Sequence, residues 1–204
     1  MEINRTDWLE ADRLNDQGRE RANAGDWEAA LSLYRQATDR VPAYEPAWFN
    51  MALIHKQHRQ WDQALECNER AAALGGEEGD PAWWNLGIAA TALRRWDAAR
   101  NAWRRFGIEI PDGPGELQLD FGIAPVRLDP DGHAEVVWGR RVDPARVVIM
   151  NVPTPASGHR WATWYSTTAP RTGSARPAAT STASSTSSNA GSRHPSRPWK
   201  SRSP

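Results

Sequence analysis

One cysteine, Cys67, stands in 204 residues, so no internal disulfide is available and a reducing compartment is expected. Long hydrophobic runs are absent. No stretch approaches the roughly 20 apolar residues that a membrane helix needs, and Met1 to Glu10 holds no apolar run resembling a signal peptide. The expectation is a cytoplasmic protein without a membrane partner. Acidic charge is missing from one end only: all 25 Asp and Glu lie at or before Asp143, while 8 of the 25 Lys and Arg lie after it. The longer part of the chain is therefore acidic, which argues against a nucleic-acid surface there, because phosphate neutralisation needs clustered cations.

What is present is an internal repeat, the feature whose neglect would misassign the whole fold. Gly25-Asp26-Trp27-Glu28-Ala29-Ala30-Leu31, Gln60-Trp61-Asp62-Gln63-Ala64-Leu65 and Arg95-Trp96-Asp97-Ala98-Ala99 restate one phrase at intervals of 34 and 35 residues. A second phrase precedes each, at 14–18, 48–52 and 83–87. Each unit thus reads as two helices, with spans predicted at 7–23, 27–39, 46–58, 61–74, 81–93 and 96–106. Thr6 and Asp26 are the expected N-caps of the first two. Pro46 and Pro81 suit a first helical turn, where a missing N–H costs nothing. The extra residue of the longer interval falls in Gly75-Gly76-Glu77-Glu78-Gly79-Asp80, a loop by composition.

These positions resemble the tetratricopeptide repeat family over residues 11–113. In the third unit Trp83, Leu86, Gly87, Ala99, Trp103 and Pro111 match the pattern, and in the first Gly18, Ala30, Tyr34, Ala37 and Pro42 do. The second unit is looser, with Ala52 in place of the glycine, Asn68 of the aromatic and Gly76 of the proline. The resemblance implies a mainly α protein, an α-α superhelix of about three helix-turn-helix repeats, whose first helices line a concave groove. It implies an interaction module, an adaptor or scaffold binding a peptide or helix of another protein, with no cofactor and no enzymatic activity.

Helical spacing places Asn15 and Arg19 of the first unit, Phe49, Asn50, Leu53 and Lys56 of the second, and Trp84, Asn85 and Ile88 of the third on the groove. Phe49, Leu53, Trp84 and Ile88 form an apolar strip, expected either to meet a partner or to be covered by the C-terminal segment. Asn50 and Asn85 repeat one unit apart. An amide row of this kind pairs with a peptide backbone or with neighbouring helices. The cation pattern by which some family members grip a terminal carboxylate is not kept, since Asn15, Pro81 and Asn85 stand where it has basic residues. Self-association through exposed aromatic surface is a further partner class.

Beyond the repeats the texture changes to strands at 123–128, 133–138 and 145–152, with a tight turn at Asp129-Pro130-Asp131-Gly132. From 162 to 204 the chain holds 18 Ser or Thr and no Ile, Leu, Val, Met, Phe, Asp or Glu. Such a segment lacks the apolar surface to offset ordering entropy. The expected organisation is a helical repeat domain at 1–113, a small, partial antiparallel β appendage at 114–161 and a disordered tail at 162–204.

Catalytic and metal signals are sparse. His55 and His58 share a helix face without a third ligand nearby. Cys67 lies between Glu66 and Asn68-Glu69, a setting that raises a thiol pKa. The glycine-rich stretches run into glutamates instead of the Lys of a phosphate-cradling loop. The alternative reading, an enzyme or regulatory protein acting through the β segment, would draw on His133, Glu135 and His159.

Overall fold

The computed structural model describes residues 4–75, 77–128, 135–160, 162 and 164–166. Six helices come first: α1 (Arg5–Asn23), α2 (Trp27–Arg40), α3 (Glu45–Gln57), α4 (Trp61–Gly75), α5 (Pro81–Ala92) and α6 (Trp96–Arg105). The first begins earlier than the sequence suggested, and the reason is its cap. Asn4 accepts from the Asp7 amide while the Asp7 carboxylate accepts from the Asn4 amide, a reciprocal box that leaves Thr6 inside the helix. Asp26 does cap α2, accepting from the Ala29 amide, and Asp80 caps α5 through the Ala82 amide.

Each helix packs on the next, and α1, α3 and α5 also touch in a row, so the first helices of the three units form one inner layer. The contact within a pair is set by a glycine beneath an aromatic ring. A Cβ on Gly18 would lie 2.5 Å from Tyr34 Cε1, and one on Gly87 would lie 2.7 Å from three ring carbons of Trp103. Both rings are fully buried. The middle unit replaces both members of this pairing together. Ala52 stands for the glycine and Asn68 for the ring, so the smaller side chain leaves room for the methyl group.

The array holds two buried clusters. One centres on Tyr34, Val41, Tyr44, Met51 and Ile54. The other contains Phe49, Leu65, Leu86, Ile88 and Trp103, and continues into the segment after α6 through Ile110, Leu117 and Ala145. The segment is pinned as well by Arg100, whose guanidinium donates to the Gly115 carbonyl at 2.8 Å.

Four strands follow, β1 (Ile123–Arg127), β2 (Val136–Arg141), β3 (Arg146–Ile149) and β4 (Trp164–Ser166), in one antiparallel sheet of order β1-β2-β3-β4. Val126, Val137, Val147 and Ile149 share one face and, with Leu128, make a third, separate core. The sheet departs from expectation in two ways. The second strand runs from 136 to 141, later than 133–138, and the third ends at 149. The fourth strand lies past 161, so the β unit extends into what the composition assigned to the tail. Averaging over a long Ser- and Thr-rich stretch hid Trp164-Tyr165, an aromatic pair of high strand preference. The turn expected at 129–132 and the remainder of the expected tail lie outside the described residues.

Candidate functional site

The inner layer is where sequence placed the groove, and its polar residues bond mainly to one another. Asn50 Nδ2 donates to Asn15 Oδ1 at 2.9 Å, tying α3 to α1. Lys56 Nζ donates to Asn85 Oδ1 at 2.6 Å, tying α3 to α5. Asn15, Asn50 and Asn85 are all buried, at 0, 1 and 5% exposure. The amide row therefore works first as a set of bridges between units. One donor is left over, since Asn15 Nδ2 has no hydrogen-bond partner among the described residues. Arg19 behaves similarly: one terminal nitrogen meets Asp16 at 2.8 Å on its own helix, while its buried Nε has no partner among the described residues.

Of the two expectations for the apolar strip, contact with a partner or cover by the chain itself, burial agrees with cover for two of the four residues. Phe49 and Ile88 are 6 and 4% exposed and lie inside the cluster that includes Ile110, Leu117 and Ala145. Trp84 is half-buried, edge-on to Trp103 with centroids 5.1 Å apart and close to Phe106 at 5.0 Å. Leu53 is half-buried against the same cluster. Cover by the chain after α6, one of the two expectations, takes the form of Ile110, Leu117 and Ala145 in the same cluster. Of the residues expected on the groove, those that keep partial exposure are Arg19, Leu53, Lys56 and Trp84.

Lys56 is the electrostatic feature of this stretch. Burial lowers its pKa from the usual lysine value, and its hydrogen-bond acceptor is a neutral amide, not a carboxylate. A cation held in this way has a desolvation cost that an incoming acceptor offsets.

The remaining candidates resolve into structural roles. His55 Nδ1 pairs with Gln60 Oε1 at 2.6 Å, while His58 stands edge-on to Trp27 at 5.6 Å. Among the described residues no group of three His, Cys, Asp or Glu is placed to hold a metal ion. Burial, with Glu66 adding to it, pushes the Cys67 thiol up to about 12, so its thiolate is disfavoured. In the β unit the Glu135 carboxylate accepts from the amide and hydroxyl of Thr154. His133 lies outside the described residues. No described helix is long and apolar enough to cross a membrane.

A tetratricopeptide repeat family model matches residues 22–87. An uncharacterized protein of Methanocaldococcus jannaschii is 38% identical over 58 residues, covering 28% of this chain and 67% of that protein. The chain belongs to the tetratricopeptide repeat family. Among solved structures it is similar to the first TPR of Spaghetti (RPAP3) bound to HSP90 peptide SRMEEVD. That match has 21% identity and a TM-score of 0.45, and covers 48% of this chain and 78% of that one. It is similar also to the Sgt2 TPR domain from Aspergillus fumigatus, at 26% identity and a TM-score of 0.43, covering 48% of this chain and 64% of that one.

To the tetratricopeptide array the chain adds a junction that sequence reasoning did not find. Arg146, at the start of β3, binds the buried Asp143 through Nε, and its terminal nitrogens reach Glu116 and the Leu117 carbonyl, the latter at 2.8 Å. Its guanidinium also lies 4.8 Å from the ring centroid of Trp96 at the start of α6. One side chain thus joins the sheet, the connecting segment and the last repeat. Trp96 belongs to the repeated phrase, where packing was the natural reading; nothing in the local sequence couples it to a residue fifty positions on.

Proposed function

We propose that this protein is an interaction module, an adaptor or scaffold that takes a peptide or helix of another protein along the inner layer of its repeats. The observation that carries the reading is the Arg19, Leu53 and Lys56 stretch. It combines a desolvated lysine whose acceptor is neutral, an arginine whose buried Nε has no partner among the described residues, and a half-buried leucine, all on the first helices of the first two units. Unused donors beside apolar surface suit a segment that brings carbonyl or carboxylate acceptors together with an apolar side chain. Asn15, Asn50, Phe49, Asn85 and Ile88 act beneath that surface, fixing the distances between first helices, and Trp84 borders it.

Selection from a displayed random-peptide library tests the reading, with the full chain beside an Arg19→Glu, Lys56→Glu variant. Both substitutions are at partly exposed positions outside the buried hydrophobic clusters, and Lys56→Glu gives up the bridge to Asn85. The wild type is expected to enrich a shared motif with acceptor and apolar positions, and the variant to lose it while retaining its helical circular dichroism. A motif enriched equally by both proteins would place the working surface elsewhere.

A further inference from the structure

Side chains alternate along a strand, so while Val126, Val137, Val147 and Ile149 turn to the core of the β unit, their neighbours turn outward. On β1 and β2 the outward residues stand in three opposed pairs: Ile123 with Arg140, Pro125 with Trp138, and Arg127 with Val136. Met150, at the end of β3, continues the row from Trp138. Ile123, Val136, Trp138 and Met150 are 58, 57, 53 and 40% exposed, and no described helix packs against β1 or β2. None of Arg19, Leu53 and Lys56 belongs to this face, so what it does stands or falls separately from the proposed function.

The β1 edge is poorly suited to strand addition, which leaves the face. Trp138 donates its amide to Asn151 Oδ1 at 2.7 Å and accepts from the Met150 amide at 2.8 Å, both on the β3 side. Pro125, opposite Trp138, therefore turns its backbone to the open edge, where it has no N–H to offer an added strand. The face itself is large enough to matter. Its four apolar side chains expose roughly 400 Å², in the range of the largest apolar patch on a typical monomer. Pro125 and the aliphatic stems of Arg127 and Arg140 extend it toward about 600 Å², the smallest share that each partner brings to a specific interface.

We propose that the occupant of this face is a second copy of the chain, the two sheets packing outer face to outer face. The register is self-complementary. Arg140 marks one end of the strand pair and Arg127 the other, with Pro125 and Trp138 between them. A two-fold axis running across the strands through Pro125 and Trp138 exchanges the two ends. Each arginine then lies over an apolar residue of the copy, Arg140 over Val136 and Arg127 over Ile123, and no arginine meets an arginine. Trp138 meets its own counterpart at the centre, where a buried aromatic anchor carries most of the binding energy. Arg140 is compensated within its own chain by Asp120 at 2.8 Å, so its stem can pack without bringing a bare cation into the interface. Strands related in this way run nearly parallel to one another's axes, the aligned packing of sheet on sheet at about 30°, and the contact is the isologous kind that closes as a dimer.

Sedimentation equilibrium of the full chain across the micromolar range tests this, in reducing buffer so that Cys67 forms no intermolecular disulfide. The wild type is expected to show a reversible monomer–dimer equilibrium with a Kd on the order of tens of micromolar, as suits an interface of this size. Trp138→Thr removes the central ring while keeping a strand-favouring residue, and should weaken association about tenfold or more. Val136→Lys and Val136→Glu lose the same apolar contact but set opposite charges over Arg140 of the copy; the lysine variant should associate about tenfold more weakly than the glutamate variant. Circular dichroism checks that each variant keeps its fold. The Arg19→Glu, Lys56→Glu variant should dimerise as the wild type does, which separates this surface from the inner layer of the repeats. A wild type that stays monomeric throughout, as it would if the face served a different protein or a later segment of the same chain, would overturn the proposal. So would a dimer that Trp138→Thr leaves unchanged, equal association of the two Val136 variants, or loss of the dimer in the Arg19→Glu, Lys56→Glu variant.

Discussion

Replacing Gly87 by alanine adds one methyl group at the most crowded helix contact of the third repeat. The new carbon would lie 2.7 Å from three ring carbons of Trp103, whereas carbon atoms rest at about 3.5–4.0 Å. Something must therefore move by close to an ångström. Trp103 is completely buried within the larger cluster, so it cannot swing into solvent to relieve the clash. Overpacking of this kind costs roughly 1–3 kcal/mol, and contact with three rigid ring atoms puts it at the upper end. Against it stands the helix preference of alanine over glycine, about 1 kcal/mol. The net expectation is a loss of about 2 kcal/mol, or a Tm lower by roughly 4–8 °C. The converse change in the middle unit, Ala52→Gly, should also destabilise, by about 1–2 kcal/mol, because it removes a buried methyl group and adds backbone freedom. Urea denaturation followed by circular dichroism measures both. A neutral or stabilising Gly87→Ala would refute the reasoning, since propensity would then outweigh the contact that defines the pairing.

Further outcomes follow from the junction and the titratable groups. Arg146→Met keeps the aliphatic stem but strips the buried Asp143 of its side-chain partner, leaving the backbone amides of Ala145 and Arg146. Breaking such a pair costs about 3–5 kcal/mol; hydrogen exchange should show β2 and β3 losing protection while α1 to α4 keep theirs, and unchanged strand protection would contradict the role. Burial holds the His55 pKa below its usual value, so the fold favours the neutral ring. Its contribution is complete above an unfolded pKa of about 6.5 and is lost as pH falls from there through the folded value. Stability measured at pH 7.5 and 5.5 should accordingly fall more for the wild type than for His55→Asn. With its pKa pushed up to about 12 and only 7% exposure, Cys67 should resist a thiol-specific disulfide reagent at pH 8 until denaturant opens the array; immediate reaction in native buffer would show that α4 is not packed as described.

The parts of the fold that were legible in the sequence are those with local causes. The repeated phrase, the first-turn prolines and the Asp26 cap all act within a few residues, and each helix lies close to its predicted span. The α1 cap was misassigned to Thr6 because Asn4 and Asp7 satisfy each other, a reciprocity that a hydroxyl at position 6 cannot match. Helical spacing found the inner layer, but Asn15 and Asn50 meet across two helices. Whether a polar residue is a bridge or a ligand contact depends on that distance, which spacing within one helix does not contain. The same limit hid Arg146 and Trp96, which come together only because the chain after α6 folds back.

The claim that the inner layer is the binding surface is tested most directly by titrating a library-selected peptide into the nitrogen-15-labelled full chain and mapping the shifted amides. The account predicts saturable shifts centred on Arg19, Leu53 and Lys56, lost in the Arg19→Glu, Lys56→Glu variant. Shifts confined to the β unit, with those three positions unmoved, would contradict it.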